Sequence, residues 1–283
     1  MLFKNDFQIY NQADADRENG LRGWVRTARR ALKRCWLDRE TINQPRIFCQ
    51  NIGGCGSTYV VQLLKDNAVE RVFHEKAPDL EEMGVQHFEN PISSERLVKI
   101  LRYTRHHVFF EANNRFFTMT CELATAFPNA KFIHLFRDPA QAVASAMSKP
   151  NVEAYLKSNV RLRTSIGGPV GAPPFEKYCH HWRIANQRIQ DDLETVRSKV
   201  GKKYLTLNFE DLVKGNLTEF ESFTGLKLTK KIRPPVNARA NRPEGRFPDY
   251  EGWTSEQKET LEEICGPLFR RLKSQAGETG LFQ

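Results

Sequence analysis

Arg46-Ile47-Phe48-Cys49-Gln50-Asn51-Ile52-Gly53-Gly54-Cys55-Gly56-Ser57-Thr58 holds the change of pattern on which the fold turns. An apolar run over residues 46–52 reads as a buried strand, and three glycines within four positions then break it. Beyond Thr58, Val60, Leu63 and Leu64 recur at helical spacing. The unit is strand, glycine loop, helix. In such a turn the backbone N–H groups can converge on an anion, and the helix start adds the positive end of its dipole. Ser57 and Thr58 add hydroxyl groups, although a short glycine turn also serves where only the backbone must bend. A Walker A loop requires a lysine before its Ser/Thr. None stands between Gly56 and Ser57, which disfavours an ATP or GTP hydrolase.

Outward from this unit the chain alternates. Further strands are expected near residues 69–74, 107–111, 131–136 and 204–209, with helical stretches at 175–199 and from Thr254 onward. Asp138 and Pro139 suit the cap and first turn of a helix after the fourth strand. Thr254 and Gln257 form a capping-box pair. The breaker-rich residues 167–174 read as a loop able to act as a substrate lid, and 233–252 is rich in Arg, Pro and Gly. This order predicts an α/β fold: a single domain with a mainly parallel central sheet flanked by helices, P-loop NTPase-like.

The chain has 283 residues, 40% of them hydrophobic, enough for one sizeable core. No apolar run approaches the roughly 18 residues that cross a bilayer, and residues 1–10 lack a signal-peptide pattern, so a cytoplasmic protein is expected. Six cysteines without a CxxC pair read as free thiols, and no metal site is expected. The formal charge of +9 suits a polyanionic partner. Part of it lies in residues 22–39, where Arg22, Arg26, Arg29, Arg30, Lys33 and Arg34 alternate with Trp24, Leu32 and Trp36 as a basic amphipathic helix. We expect residues 1–45 to form an N-terminal extension whose helix docks on the core, with membrane-surface contact as the second reading.

A second anion motif follows the fourth strand. Arg137 stands at its carboxyl end, where open α/β sheets bind ligands, and Ser145 lies on the next helix. A guanidinium and a hydroxyl on rigid elements make a phosphate clamp. With this motif the sequence resembles the sulfotransferases that use 3′-phosphoadenosine 5′-phosphosulfate (PAPS). Gly54-Cys55-Gly56-Ser57-Thr58 is similar to the family's 5′-phosphosulfate loop. Phe127-Pro128-Asn129-Ala130-Lys131-Phe132-Ile133-His134-Leu135-Phe136-Arg137-Asp138-Pro139, with Ser145 beyond it, is similar to the 3′-phosphate motif. Asn208-Phe209-Glu210-Asp211-Leu212 and Phe223-Thr224-Gly225-Leu226 add matches, and the resemblance runs from about residue 46 to 270. It implies a sulfotransferase domain over residues 46–283, PAPS as donor, PAP as product and no nucleic-acid partner. It also implies that Gly53, Gly54, Cys55, Gly56, Ser57 and Thr58 hold the 5′ end while Arg137 and Ser145 grip the 3′-phosphate. Asn241-Arg242-Pro243-Glu244-Gly245-Arg246 resembles a late basic loop, which adds Arg242 and Arg246 to the nucleotide contacts.

One position departs from the family pattern. Gly54 stands where most members carry Lys or Arg, a cation that stabilises charge on the oxygen leaving sulfur. Lys76, Arg115 and Arg246 are the replacement candidates, and nucleotide binding without efficient turnover is the alternative. A sulfuryl acceptor must also lose a proton. His74 and Glu75, side by side after the second strand, are the candidate bases; otherwise His74 is a strand-end residue and Glu75 a partner of Lys76. Alternation along a strand sends the two side chains to opposite faces, and an imidazole neutral near pH 7 favours His74. His180 and His181 point apart on their helix and read as packing and surface positions. The acceptor is expected to be a hydroxyl or amine of a small metabolite, glycan or lipid. A P-loop nucleotide or small-molecule kinase and a non-catalytic nucleotide-binding module are the competing readings.

Overall fold

A computed structural model describes residues 44–75, 87, 93–105, 107–148, 169, 171–200, 204–229 and 247–278. Its centre is one parallel sheet of five strands: β1 (Arg46–Gln50), β2 (Val72–His74), β3 (Phe110–Asn113), β4 (Ala130–Phe136) and β5 (Tyr204–Asn208), in the order β2-β3-β1-β4-β5. Every pairing is parallel, so all five carboxyl ends lie along one edge. The strand before the glycine loop is the central one. Parallel strands are covered on both faces. Accordingly β1 and β3 are buried at every residue, and in β4 only Lys131 is exposed.

Helices fill the covering layers. After β1 comes α1 (Ser57–Asp66), packed on β2 and β3; α2 (Ser94–Arg105) packs on α3 (Thr120–Ala126). α4 (Pro139–Met147) follows β4, and α5 (Pro174–Val200) runs against α3, α4 and the long C-terminal helix. After β5 come α6 (Phe209–Val213), α7 (Thr218–Thr224) and that last helix, α8 (Ser255–Glu278). Phe48 anchors the core at zero exposure, edge-on to Phe116 and tilted against Phe127 and Phe132. Burying one such ring contributes roughly 1.5–3 kcal/mol. Among the described residues no helix is long and apolar enough to cross a membrane.

The punctuation follows the sequence. Asp138 accepts from the backbone N–H of Ala140 (2.8 Å) and Gln141 (3.3 Å), with Pro139 in the first turn of α4. Thr254 and Gln257 bond reciprocally at 3.0 and 3.2 Å. Gly225 closes α7 with φ +76°. The second strand is shorter than expected, and the third is shifted toward the C-terminus. The second is confined to Val72–His74 because Ala68 and Arg71 take positive φ, a conformation that breaks an extended run. The third begins at Phe110, since the amide of Val108 turns back to the carbonyl of Arg105. Glu111 therefore lies inside β3, fully buried, bonded by Arg105 Nε at 3.0 Å and Nη2 at 3.2 Å.

A second buried polar group belongs to the fold. His134 in β4 lies between Asn186 Oδ1 (2.8 Å) and Gln190 Nε2 of α5, and burial pushes its pKa down to about 4. This imidazole stays neutral, fixing α5 against the sheet by hydrogen bonds without a buried charge.

Candidate active site

The loop from Asn51 to Gly56 is shaped by three left-handed glycines: Gly53 (φ +86°), Gly54 (+69°) and Gly56 (+84°). Asn51 starts the bend by accepting the Gly53 amide on Oδ1 at 3.0 Å. Gly56 is the N-cap of α1 and provides no side-chain cap, so the first-turn N–H groups of that helix receive none from it. A Cβ at Gly56 would lie 2.0 Å from the ring of Phe209, so the start of α6 requires a glycine there. Cys55 turns inward, fully buried, and desolvation raises its thiol to about 12. Only its backbone can face a ligand.

Two groups of side chains flank the loop. On the β4 and β5 side, Arg137 donates from Nη1 to the Gly54 carbonyl at 3.0 Å, and a Cβ at Gly54 would stand 3.9 Å from Ser145 Oγ. The guanidinium of Arg137 lies 5.3 Å above the Phe209 ring centre, with Glu210 Oε1 3.5 Å from Nε. Burial raises the Glu210 pKa, while the Asp138 amide and Arg137 oppose the rise. Trp182 of α5 steadies the strand end by donating to the Arg137 carbonyl at 3.1 Å. The arginine and the serine eight residues on thus both approach one loop residue, Gly54.

On the β2 and β3 side, His74 Nε2 lies 2.9 Å from Ser57 Oγ and 3.4 Å from Thr58 Oγ1. Glu75 leaves the strand with φ +48° and pairs with Arg115 Nη1 at 3.0 Å. The two neighbours take different partners, His74 the loop hydroxyls and Glu75 an arginine, and the positive φ at Glu75 puts it outside the strand alternation. Lys76, Arg242, Arg246 and residues 22–39 lie outside the described residues. Asn114, beside Arg115, approaches the loop from the same side, its Nδ2 3.2 Å from where a Cβ of Gly53 would be. Asn113 accepts the Arg115 amide at 2.9 Å and donates to buried Glu111 at 2.9 Å.

Sequence reasoning missed the Glu75–Arg115 pair and the roles of Phe209 and Glu210 around the loop. Arg115 stood among three candidate cations; its partner was not named. His181 is buried against Phe117, and His180 pairs with Glu176, as packing and surface positions should. Among the described residues no cluster has the makings of a metal site.

A parallel α/β sheet with a glycine loop on its central strand and an arginine on each flank of that loop defines the class: an open α/β fold of the kind that binds ligands at its strand ends. The sulfotransferase family model matches residues 58–224, well over half of the chain. The chain belongs to the sulfotransferase family, whose chemistry is sulfuryl transfer. The match spans His74, Arg115, Arg137, Ser145 and Glu210 and starts at the last residue of the glycine motif. No curated protein matches the sequence at a significant level. Among solved structures, the sulfotransferase domain from the Synechococcus PCC 7002 olefin synthase is similar at 17% identity, over 78% of this chain and 94% of that one, with a TM-score of 0.41. No residue role passes from it to this chain.

Proposed function

We propose that this protein transfers the sulfuryl group of PAPS to a hydroxyl or amine of a small metabolite, glycan or lipid, releasing PAP. The observation that carries the reading is the junction at Gly54, where Arg137 bonds the loop carbonyl at 3.0 Å and Ser145 stands beside the absent Cβ. The residues fit such a donor. Three positive-φ glycines open backbone N–H groups to one end of it, and an arginine and a serine sit one loop residue away for a second phosphate. Bound PAPS supplies an activated sulfuryl group.

The chain's own residues supply position and proton transfer. Gly53–Thr58 and the first turn of α1 hold the 5′ end; Arg137 and Ser145 read the 3′-phosphate. His74 Nε2, now 2.9 Å from the Ser57 hydroxyl, is the acceptor's base. The new acceptor–sulfur bond forms as the sulfur–oxygen bond to the 5′-phosphate breaks. The electron pair stays on that phosphate oxygen and the acceptor proton passes to Nε2. Calorimetry tests the donor assignment. Charge-assisted hydrogen bonds contribute about 1.5–3 kcal/mol, so PAP should bind roughly ten- to a hundredfold more tightly than 5′-AMP. Arg137→Ala should erase the difference, and equal affinity in the unaltered protein would sink the reading.

A further inference from the structure

Breaking the bond to sulfur leaves negative charge on a 5′-phosphate oxygen, and a pre-placed cation stabilises it most where water is excluded. Gly54 offers no such charge. Among the described residues, the segments leaving the carboxyl ends of β1 to β4 carry two cations, Arg115 and Arg137. Arg137 occupies the Gly54 flank with Ser145. Arg105 is locked in the core by Glu111, and Arg46 stacks on Phe127 from the start of β1, the far end of the sheet.

We propose that Arg115 is the catalytic cation of this site, contacting the 5′-phosphate oxygen that leaves sulfur, with Glu75 as its positioning partner and not a base. The inference rests on the PAPS reading above. Three contacts place the neighbours of Arg115 at the loop. Its neighbour Asn114 abuts Gly53. Its ion-pair partner Glu75 directly follows His74, which bonds Ser57 and lies near Thr58. The turn that carries it is tied through Asn113 to the buried Glu111–Arg105 pair. The arginine thus follows Asn114, which abuts Gly53, and pairs with the residue after His74, which reaches Ser57 and Thr58; its side chain is only 11% exposed. In the transfer step the electron pair freed from the sulfur–oxygen bond settles on the oxygen that Arg115 faces. The acceptor proton goes to His74, and Arg115 neither gains nor loses one.

Binding separates the two arginines without any turnover. The full-length protein and its variants are titrated with PAP, 3′-AMP and 5′-AMP, since each mononucleotide lacks one phosphate. Arg115→Ala should weaken PAP about tenfold or more and leave 3′-AMP within about twofold. Arg137→Ala should weaken both PAP and 3′-AMP and spare 5′-AMP. Arg115→Lys should recover most of the PAP affinity, Glu75→Gln should lose part of it, and PAPS turnover of Arg115→Ala should fall by more than PAP affinity does. Should Arg115→Ala melt early, Arg115→Gln against Arg115→Lys gives the same contrast. The proposal is overturned if PAP affinity survives Arg115→Ala, or if PAP and 3′-AMP weaken equally, the mark of a merely structural role. An unaltered protein with no preference for PAP over 5′-AMP removes the donor reading and this one together. A preference that depends on Arg137 beside a silent Arg115 removes only this one.

Discussion

The two flanks of the glycine loop are built differently. On one side Arg137 and Ser145 come from a single strand-to-helix unit, and the arginine is held by a carbonyl, a carboxylate and an aromatic face. On the other, His74, Glu75, Asn114 and Arg115 come from the ends of two neighbouring strands and meet only because β2 pairs with β3. The first flank has the form of a fixed receptor for an anion. The second places an imidazole on the loop hydroxyls and, at the next residue, a carboxylate on a cation, the kinds of group that proton transfer and charge stabilisation use. One flank is written in a local motif, whereas the other is assembled across the sheet.

The contrast collapses if the loop itself is lost. Gly56→Ala combines a left-handed backbone with a Cβ 2.0 Å from Phe209, so both flanks should shift. Strain and overpacking together cost roughly 2–6 kcal/mol, read as a fall in urea-unfolding stability, with PAP binding lost on both sides. The next effect touches one flank only. His74→Ala should lower turnover under saturating PAPS by about a hundredfold or more and leave PAP affinity nearly intact. Glu75→Gln should act instead through PAP affinity. An active His74→Ala enzyme would move the base elsewhere, and a Glu75→Gln enzyme with intact PAP binding but no turnover would return that role to the carboxylate. The smallest change sharpens the comparison. Space is open at Gly54, where a Cβ would meet nothing nearer than 3.9 Å, yet φ is +69°. Gly54→Lys should therefore cost about 1–3 kcal/mol in stability and raise turnover by no more than a few-fold. A large gain in rate would mean that the β2 and β3 flank supplies no cation.

Much of this was written in the sequence. The glycine loop, the Arg137 and Ser145 spacing, the Asp138 cap and the Thr254–Gln257 box are local. Each depends on residues within one strand, turn or helix, and backbone geometry fixes what such residues can do. The parallel sheet was legible because strands covered on both faces must be apolar almost throughout. Tertiary structure decided the rest. The left-handed residues Ala68 and Arg71 shortened β2, and Val108 delayed β3, so that β3 ends at Asn113 and the turn that follows presents Arg115. Glu75 pairs with Arg115, forty residues on, a partner that no local spacing names. Phe209 made Gly56 obligatory from across the sheet. Sequence spacing carries pairings along one element, but it holds no record of distance between strand ends, which only register and packing set.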